Sequence, residues 1–384
     1  MSTLLCFLCL LFTTKSTESR VHFSGMFFAM TEYVKTTFGL EDWVAELRAM
    51  KDVGFEFVVI PHTGNQINAN ATTQCPNGTF EVYYPVDDAI LDPACYEQKG
   101  ALDYPGGTLG LCMAAAARVD LNVHLGLMFA PAEHGFPLQS DGTFYAWGQQ
   151  QWIHAKALHA LYGNYSNLVG FYTEIEESNA QSWINAYPAF ARDYWNEIAK
   201  RVKTELDDTL KVWASPYSIG NLTRHPTGFV SPAEYETTWT SIFRSYAPYL
   251  DLVAPQDSMG AQGNSYENAS DYLRAVARAA ANVNRSSLMW SNVELFEVWP
   301  PTCAWPSACH GRHPASFRDR IQRQMANEAA ILSPDDNGTS ATLIAWEWRS
   351  CFSPYAANDP SIPFPNITKQ NYEDYKRYLL SESL

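Results

Sequence analysis

Carboxylate side chains are concentrated in two short segments, each of which directly follows a run of apolar residues. The first segment reads GFYTEIEES and contains Glu174 and Glu176, and the second reads SLMWSNVELFE and contains Glu294. Hydrolysis of a glycosidic bond uses two carboxyl groups: one protonates the leaving oxygen, and the other attacks or stabilises the oxocarbenium-like centre. We therefore predict that Glu176 is the general acid/base and that Glu294 is the nucleophile or stabilising carboxylate.

Further candidates share a strand face with these acids or lie near the ends of other strands. Alternate residues of a strand point to the same side, so Tyr172 accompanies Glu176 on one predicted face. The residues predicted to bind the substrate are Glu174, Asp257, Tyr172, Asn292, Trp290, Trp348 and His124.

The segment AWEWRS near the end of the chain also alternates aromatic and charged residues. Its pattern predicts that Trp346 and Trp348 share one strand face, with a tryptophan forming the floor of a sugar pocket. Glu347 and Arg349 then share the other face, where we expect a structural ion pair.

The elements that must position these residues follow from a repeated alternation of β-rich apolar runs and amphipathic helical stretches. The predicted strands span residues 22–30, 55–61, 121–129, 168–175, 210–215, 252–255, 287–293 and 341–348. Eight such units predict an α/β fold, a (β/α)8 TIM barrel, with catalytic residues at the carboxyl ends of the strands. An open doubly wound sheet is the alternative, but no glycine-rich phosphate loop follows the first strand.

The predicted domain organisation is simple. A signal peptide over residues 1–19 precedes one barrel domain over residues 20–384. This domain carries an elaborated loop after the second strand, residues 65–104, and a C-terminal extension.

Three motifs together resemble a known family. The ordered set GFYTEIEE, APQDSMG and WSNVELFE is similar to the glycoside-hydrolase-like barrel family catalogued as domain of unknown function 4434, over roughly residues 22–348. The resemblance implies a (β/α)8 barrel with a carbohydrate-active role. It also implies that Glu176, Asp257 and Glu294 are the acids of strands four, six and seven. The strand-four motif departs from the Asn-Glu pair of the best-known retaining barrel glycosidases.

Composition and the amino-terminal segment indicate an exported globular protein. Forty-one acidic against 26 basic side chains give a net charge of −15, which argues against non-specific binding to nucleic acid. The apolar run over residues 4–12 is too short to span a bilayer and is typical of a secretory signal, so no membrane anchor is expected. The predicted location is extracellular or in the endomembrane lumen.

Glycosylation motifs and cysteines support export. Eight Asn-x-Ser/Thr sequons begin at Asn70, Asn77, Asn164, Asn221, Asn268, Asn284, Asn337 and Asn366. Six cysteines remain after removal of the signal and allow fifteen pairings; the local pairs Cys75–Cys95 and Cys303–Cys309 are preferred.

The sequence therefore predicts a secreted glycoside hydrolase with a carbohydrate substrate, no cofactor and an optimum at about pH 4.5–6.5. A secreted glycan-binding protein on an inactive barrel is the alternative, because a fold alone does not guarantee chemistry. A metal-dependent hydrolase is disfavoured, since the histidines show no HxH or HExxH spacing.

Overall fold

Eight parallel strands form the centre of the molecule. The computed structural model describes residues 20–68, 72, 74–75, 78–101, 103–129, 143–221, 227–299, 311–336 and 340–380. The barrel strands, β1 to β8, are Phe23–Phe27, Phe57–Ile60, Asn122–Gly126, Leu168–Thr173, Lys211–Ala214, Leu252–Val253, Ser291–Glu294 and Leu343–Trp346. The predicted signal peptide and the pair Cys303–Cys309 lie outside the described residues.

The strand order closes the sheet into a barrel. Neighbouring strands run in the order β6-β5-β4-β3-β2-β1-β8-β7. Isolated parallel bridges between Val253 and Met289 and between Gln256 and Asn292 join β6 to β7. The predicted (β/α)8 TIM barrel is therefore confirmed, and its eight strands are the eight that the sequence predicted.

Helices surround the barrel and follow the strands in the chain. Helices α1 to α11 are Glu32–Thr37, Leu40–Asp52, Gly107–Arg118, Thr143–Tyr162, Gln181–Phe190, Asn196–Arg201, Pro232–Ser241, Tyr266–Ala281, Gln322–Leu332, Trp348–Cys351 and Pro365–Leu380. Their ends follow ordinary capping chemistry. At the start of α7, Ser231 is the N-cap residue and forms a capping box with Glu234, and Pro232 occupies the first helical position between them. No helix in the described part of the chain has the length and apolar composition needed to cross a membrane.

The predicted insertion after β2 contains regular structure. Gly64–Asn68, Thr79–Val82 and Tyr96–Gln98 join Met128–Phe129 in a four-stranded sheet. The predicted disulfide between Cys75 and Cys95 links two parts of this insertion and is confirmed. A two-stranded ribbon, Phe296–Trp299 with Gly311–Pro314, follows β7.

Aromatic side chains fill the barrel interior. The interior cluster contains Phe27, Phe57, Val59, Tyr172, Trp213, Leu252, Ala254 and Ile344, with Trp290 and Trp346 packed against it. A second, larger apolar cluster lies between the strands and the surrounding helices. Because strand residues alternate between these two clusters, the cluster that a residue joins tells which way its side chain faces.

The sequence prediction for the end of β8 is wrong in two respects. The strand stops at Trp346, so Trp348 begins α10 and packs in the helix layer rather than beside Trp346. Glu347 caps that short helix by accepting the backbone N–H groups of Arg349 and Ser350, at 2.9 and 2.7 Å. The guanidinium of Arg349 pairs with Glu46 and Asp359 instead of Glu347.

Candidate active site

The carboxyl end of β4 places one acid at the mouth of the barrel. Tyr172 faces the interior and packs between Phe27 and Trp213, with ring centroids 5.2 and 4.6 Å away. Its hydroxyl group donates a hydrogen bond to Oε1 of Glu176 at 3.4 Å. Glu176 is half-buried. The predicted shared face of Tyr172 and Glu176 is therefore present in the structure.

The second acid of this strand end, Glu174, is bound to a histidine. Its Oε1 accepts the backbone N–H of His62 at 3.0 Å, and its Oε2 lies 2.8 Å from Nδ1 of the same residue. The side chain of Glu174 is only 1% exposed, whereas that of His62 is 34% exposed. Glu174 thus holds His62, which follows β2, at the mouth.

Glu294 ends β7 in a cluster of buried carboxyl groups. Its Oε2 accepts the backbone N–H of Ala261 at 2.7 Å, and its own N–H donates to Oδ1 of Asp257 at 3.2 Å. Asp257 interacts with Glu328 of α9, which also accepts a hydrogen bond from the hydroxyl of Ser291. We call Asp257, Glu294 and Glu328 the acid cluster.

Burial governs the protonation of the acid cluster. Loss of solvent, together with the nearby charge of Asp257, raises the pKa of Glu294 to about 8. Burial also raises the pKa of Asp257, and burial and the Asp257 charge raise the pKa of Glu328 well above its usual range. Glu294 therefore holds its proton at neutral pH.

Asn292 lies deeper in the interior than Glu294. Its amide nitrogen donates to Oγ of Ser215 at 2.9 Å, so β7 and the end of β5 are linked across the barrel. Asn292 is 1% exposed, and its Oδ1 is buried without a hydrogen-bond partner among the described residues.

Asp257 does not face the mouth. Its oxygens accept from the side chain of Gln324 and from the backbone of Met259 and Glu294, and the side chain is 3% exposed. These partners place it behind the strand end, toward α9.

Residues 23–354 match the model of the domain of unknown function DUF4434. The chain belongs to the DUF4434 family. No curated protein matches the sequence significantly.

Solved structures resemble that of this DUF4434 protein to different degrees. One is a provisionally named α-L-fucosidase from Bacteroides thetaiotaomicron, with a TM-score of 0.66, 17% identity and 94% of each chain covered. Another is the PgaB (BpsB) glycoside hydrolase domain from Bordetella bronchiseptica, with a TM-score of 0.45, 10% identity, and 90% of this chain and 98% of that chain covered. At 17% identity the first likeness shows the fold alone.

Three predicted site residues lie away from the mouth of the DUF4434 barrel. Trp290 precedes β7 and stacks on Phe57, the first residue of β2, with centroids 5.1 Å apart. His124 contacts both of these rings, and burial lowers its pKa to about 3. These two residues therefore lie toward the amino-terminal ends of the strands. Trp348 lies in the helix layer, where its indole N–H donates to Glu46 at 2.6 Å.

Glu177, the residue after Glu176, is buried, whereas a solvated loop would leave its side chain exposed. Glu177 is fully buried, and burial raises its pKa well above the usual range. Its charge helps to raise the pKa values of Tyr187 and Tyr235 in the larger apolar cluster and of Tyr172 in the interior.

The sequence predicted His62 only as a ligand of the disfavoured metal site, favoured Trp348 over Trp346, and indicated no role for Glu328. His62 lies beyond β2 with a positive φ of 56°, and no local pattern indicates its pairing with Glu174. The alternation of the AWEWRS segment was a signal for Trp346. In the structure Trp346 ends β8 on the interior face, and its ring centroid lies 4.7 Å from that of Phe27. In the described residues, no group of three or more His, Cys, Asp or Glu side chains is arranged to hold a metal ion.

Proposed function

We propose that this DUF4434 protein is a glycoside hydrolase that cleaves a carbohydrate substrate with Glu176 and Glu294. The observation that carries the proposal is a pair of acids at the carboxyl ends of β4 and β7 in unlike surroundings. Glu176 is half-buried beside a tyrosine hydroxyl, and Glu294 is buried with a pKa near 8. Two carboxyl groups that can take different roles are the requirement of this reaction.

The surroundings favour roles opposite to those expected from the sequence. Because Glu294 keeps its proton at neutral pH, it is suited to protonate the leaving oxygen. The Tyr172 hydroxyl donates to Glu176, so Oε1 of Glu176 acts as an acceptor there. Glu176 is then the carboxylate that attacks the sugar or activates water.

Aromatic and amide groups nearby would orient the sugar. Trp346 pairs in register with Glu294 on the adjacent strand and presents its ring to the interior. Asn292 has a buried acceptor oxygen on the same strand face as Glu294. We assign Trp346, rather than Trp348, as the aromatic surface that contacts the substrate.

The proposal is tested with purified protein and a panel of 4-nitrophenyl glycosides. The panel includes the α-L-fucoside, because the similar Bacteroides thetaiotaomicron structure carries that name. We expect hydrolysis of at least one glycoside, and a loss of at least about 10³-fold in kcat for Glu176→Gln and for Glu294→Gln.

Glu177→Gln is the matched control, since it removes the fully buried carboxyl group of the next residue, to which the proposal gives no role in the reaction. Its kcat should stay within a few-fold of wild type. Full activity in Glu176→Gln, or equal losses in Glu176→Gln and Glu177→Gln, would overturn the assignment. The anomeric form of the first product distinguishes retention from inversion.

A glycan-binding protein without hydrolytic activity is the second candidate. One observation favours it: the carboxyl group of Glu294 lies beneath a loop, accepts the N–H of Ala261 and is only 3% exposed. Glycoside binding by wild type without release of 4-nitrophenol would select this function.

We also propose that the protein is secreted and glycosylated. The Cys75–Cys95 disulfide is compatible with an oxidising compartment. Among the sequons in the described residues, Asn164, Asn284 and Asn366 are exposed. The amides of Asn221 and Asn268 donate to backbone carbonyls across one contact region, at 2.8 and 2.9 Å. Peptide mapping of secreted protein should find glycans at the three exposed sites and not at these two.

A further inference from the structure

We propose that His62 contacts the substrate at the barrel mouth and that Glu174 is the residue that positions it. The inference rests on the proposed carbohydrate site and deepens it. Glu174, which the sequence predicted to bind the sugar, is then a positioning residue for His62.

The contacts of Glu174 leave little of its carboxylate for a sugar. One oxygen accepts the His62 backbone N–H at 3.0 Å, and the other lies 2.8 Å from the ring Nδ1. The backbone hydrogen bond and the close approach of Nδ1 together place His62 against Glu174. The Glu174 side chain, at 1% exposure, has almost no surface to offer a substrate.

A glycine in β3 and an unusual backbone conformation at His62 allow this pairing. A Cβ atom on Gly126, the last residue of β3, would lie 1.9 Å from Oε1 of Glu174. A glycine is therefore required where the carboxylate of β4 passes over β3 to reach His62 beyond β2. His62 itself has a left-handed backbone with φ of 56°. Such conformations are unfavourable for residues other than glycine and concentrate at functional sites.

The His62 ring and an interior indole border one corner of the mouth. The ring is 6.3 Å from that of Trp346, at an interplanar angle of 63°, and its side chain keeps 34% of its surface exposed. Nδ1 lies 2.8 Å from Glu174, and we assign the contact with a substrate to Nε2, on the other side of the ring. A neutral imidazole accepts a hydroxyl hydrogen there, and a protonated one donates to a hydroxyl oxygen. The half-buried Trp346 ring supplies an apolar surface for the same sugar.

The decisive variant is His62→Asn. The asparagine amide nitrogen takes roughly the place of Nδ1 and can still donate to Glu174, and asparagine tolerates a positive φ. The substitution removes Nε2 and the side of the imidazole ring that carries it. Binding of the 4-nitrophenyl glycoside panel is measured by calorimetry in a Glu176→Gln background, so that hydrolysis does not interfere.

We expect the dissociation constant of the bound glycoside to rise about tenfold in His62→Asn, with the melting temperature little changed. His159→Asn, on α4, is the matched histidine control and should bind like its parent. Glu174→Gln should also weaken binding, because its amide cannot accept from Nδ1–H as a carboxylate does while keeping the backbone contact. The double variant His62→Asn/Glu174→Gln should bind no more weakly than His62→Asn, since Glu174 acts through His62.

Unchanged affinity in His62→Asn would overturn the inference and leave His62 a structural residue. Absence of binding by every glycoside would overturn it as well. The proposed hydrolysis can fail separately: if wild type releases no 4-nitrophenol but His62→Asn still weakens glycoside binding, the inference stands and the hydrolase proposal falls.

Discussion

Two groups of buried acids in this molecule differ in whether an arginine pairs with their carboxyl groups. In the helix layer, Arg349 pairs with Glu46 and Asp359, and the three side chains are at most 2% exposed. In the acid cluster at the end of β7, the nearest arginine, Arg320, donates instead to the backbone oxygens of Glu294 and Phe296 and to Glu297. Among the described residues no ion pair joins a cation to the carboxyl groups of the acid cluster, although the Arg320 charge acts to lower the pKa values of Asp257 and Glu294.

This difference separates acids that stabilise the fold from an acid suited to chemistry. Burial raises the pKa of Glu46, but the opposing charge of Arg349 and several hydrogen bonds favour its ionised form. In the described part of the chain no cation pairs with the Glu294 carboxyl group; burial and the Asp257 charge outweigh the opposing charge of Arg320 and raise its pKa to about 8. A buried acid beside an arginine is thus paired within the fold, whereas Glu294, beside other acids, has a pKa near 8 and suits the proton-donor role proposed above.

Removing the arginine should have the largest effect on stability. Arg349→Met leaves Glu46 and Asp359 buried without their cation, which we expect to lower the free energy of unfolding by about 3–5 kcal/mol. Urea unfolding measures the change. Arg377→Met removes an exposed cation paired with Asp374 and should change stability by less than about 0.5 kcal/mol. Equal effects of the two substitutions would refute the stabilising role of Arg349.

The pH dependence of hydrolysis should report the proton on Glu294. Activity requires the protonated form, so kcat/KM should fall as the pH rises through about 8. Because the Asp257 charge helps to raise this pKa, Asp257→Asn should move the fall to lower pH. The profile is measured from about pH 3 to 10. A fall already complete near pH 6, within the range expected from the sequence, would show that Glu294 is not the proton donor.

Stability should also depend on pH through the acid cluster, with a smaller effect. The pKa of Glu328 is raised on folding, so the native state binds more protons than the unfolded chain, and stability is lost as the pH rises above the unfolded value near 4.5. Between about pH 5 and 8, Glu328→Gln should lose roughly 1–3 kcal/mol less of its free energy of unfolding than wild type does. Denaturant unfolding at several pH values tests this. The exposed Glu373→Gln should retain the wild-type slope; a wild-type slope in Glu328→Gln would argue against a raised pKa.

The strands and the facing of several site residues could be predicted because they follow local rules. Apolar runs predicted all eight strands. Alternation predicted that Tyr172 and Glu176 lie on one side, and their hydrogen bond shows that they meet although β4 ends at Thr173. The same rule failed at Trp348, because alternation holds only while the strand continues and β8 ends at Trp346. It also could not reveal that Trp290 lies toward the amino-terminal end of the barrel, since that depends on where β7 begins.

By itself, the sequence determined the barrel, the strands that carry acids, and the Cys75–Cys95 disulfide, because periodicity and short spacing are local properties of the chain. Only the tertiary structure decided what surrounds each acid. Glu46 meets Arg349 across 303 residues, and Glu174 meets His62 across 112. A carboxyl group's protonation depends on its burial and on the charges within a few ångströms. Those neighbours come from distant parts of the chain, so the chemical role of each glutamate is fixed only when the barrel closes.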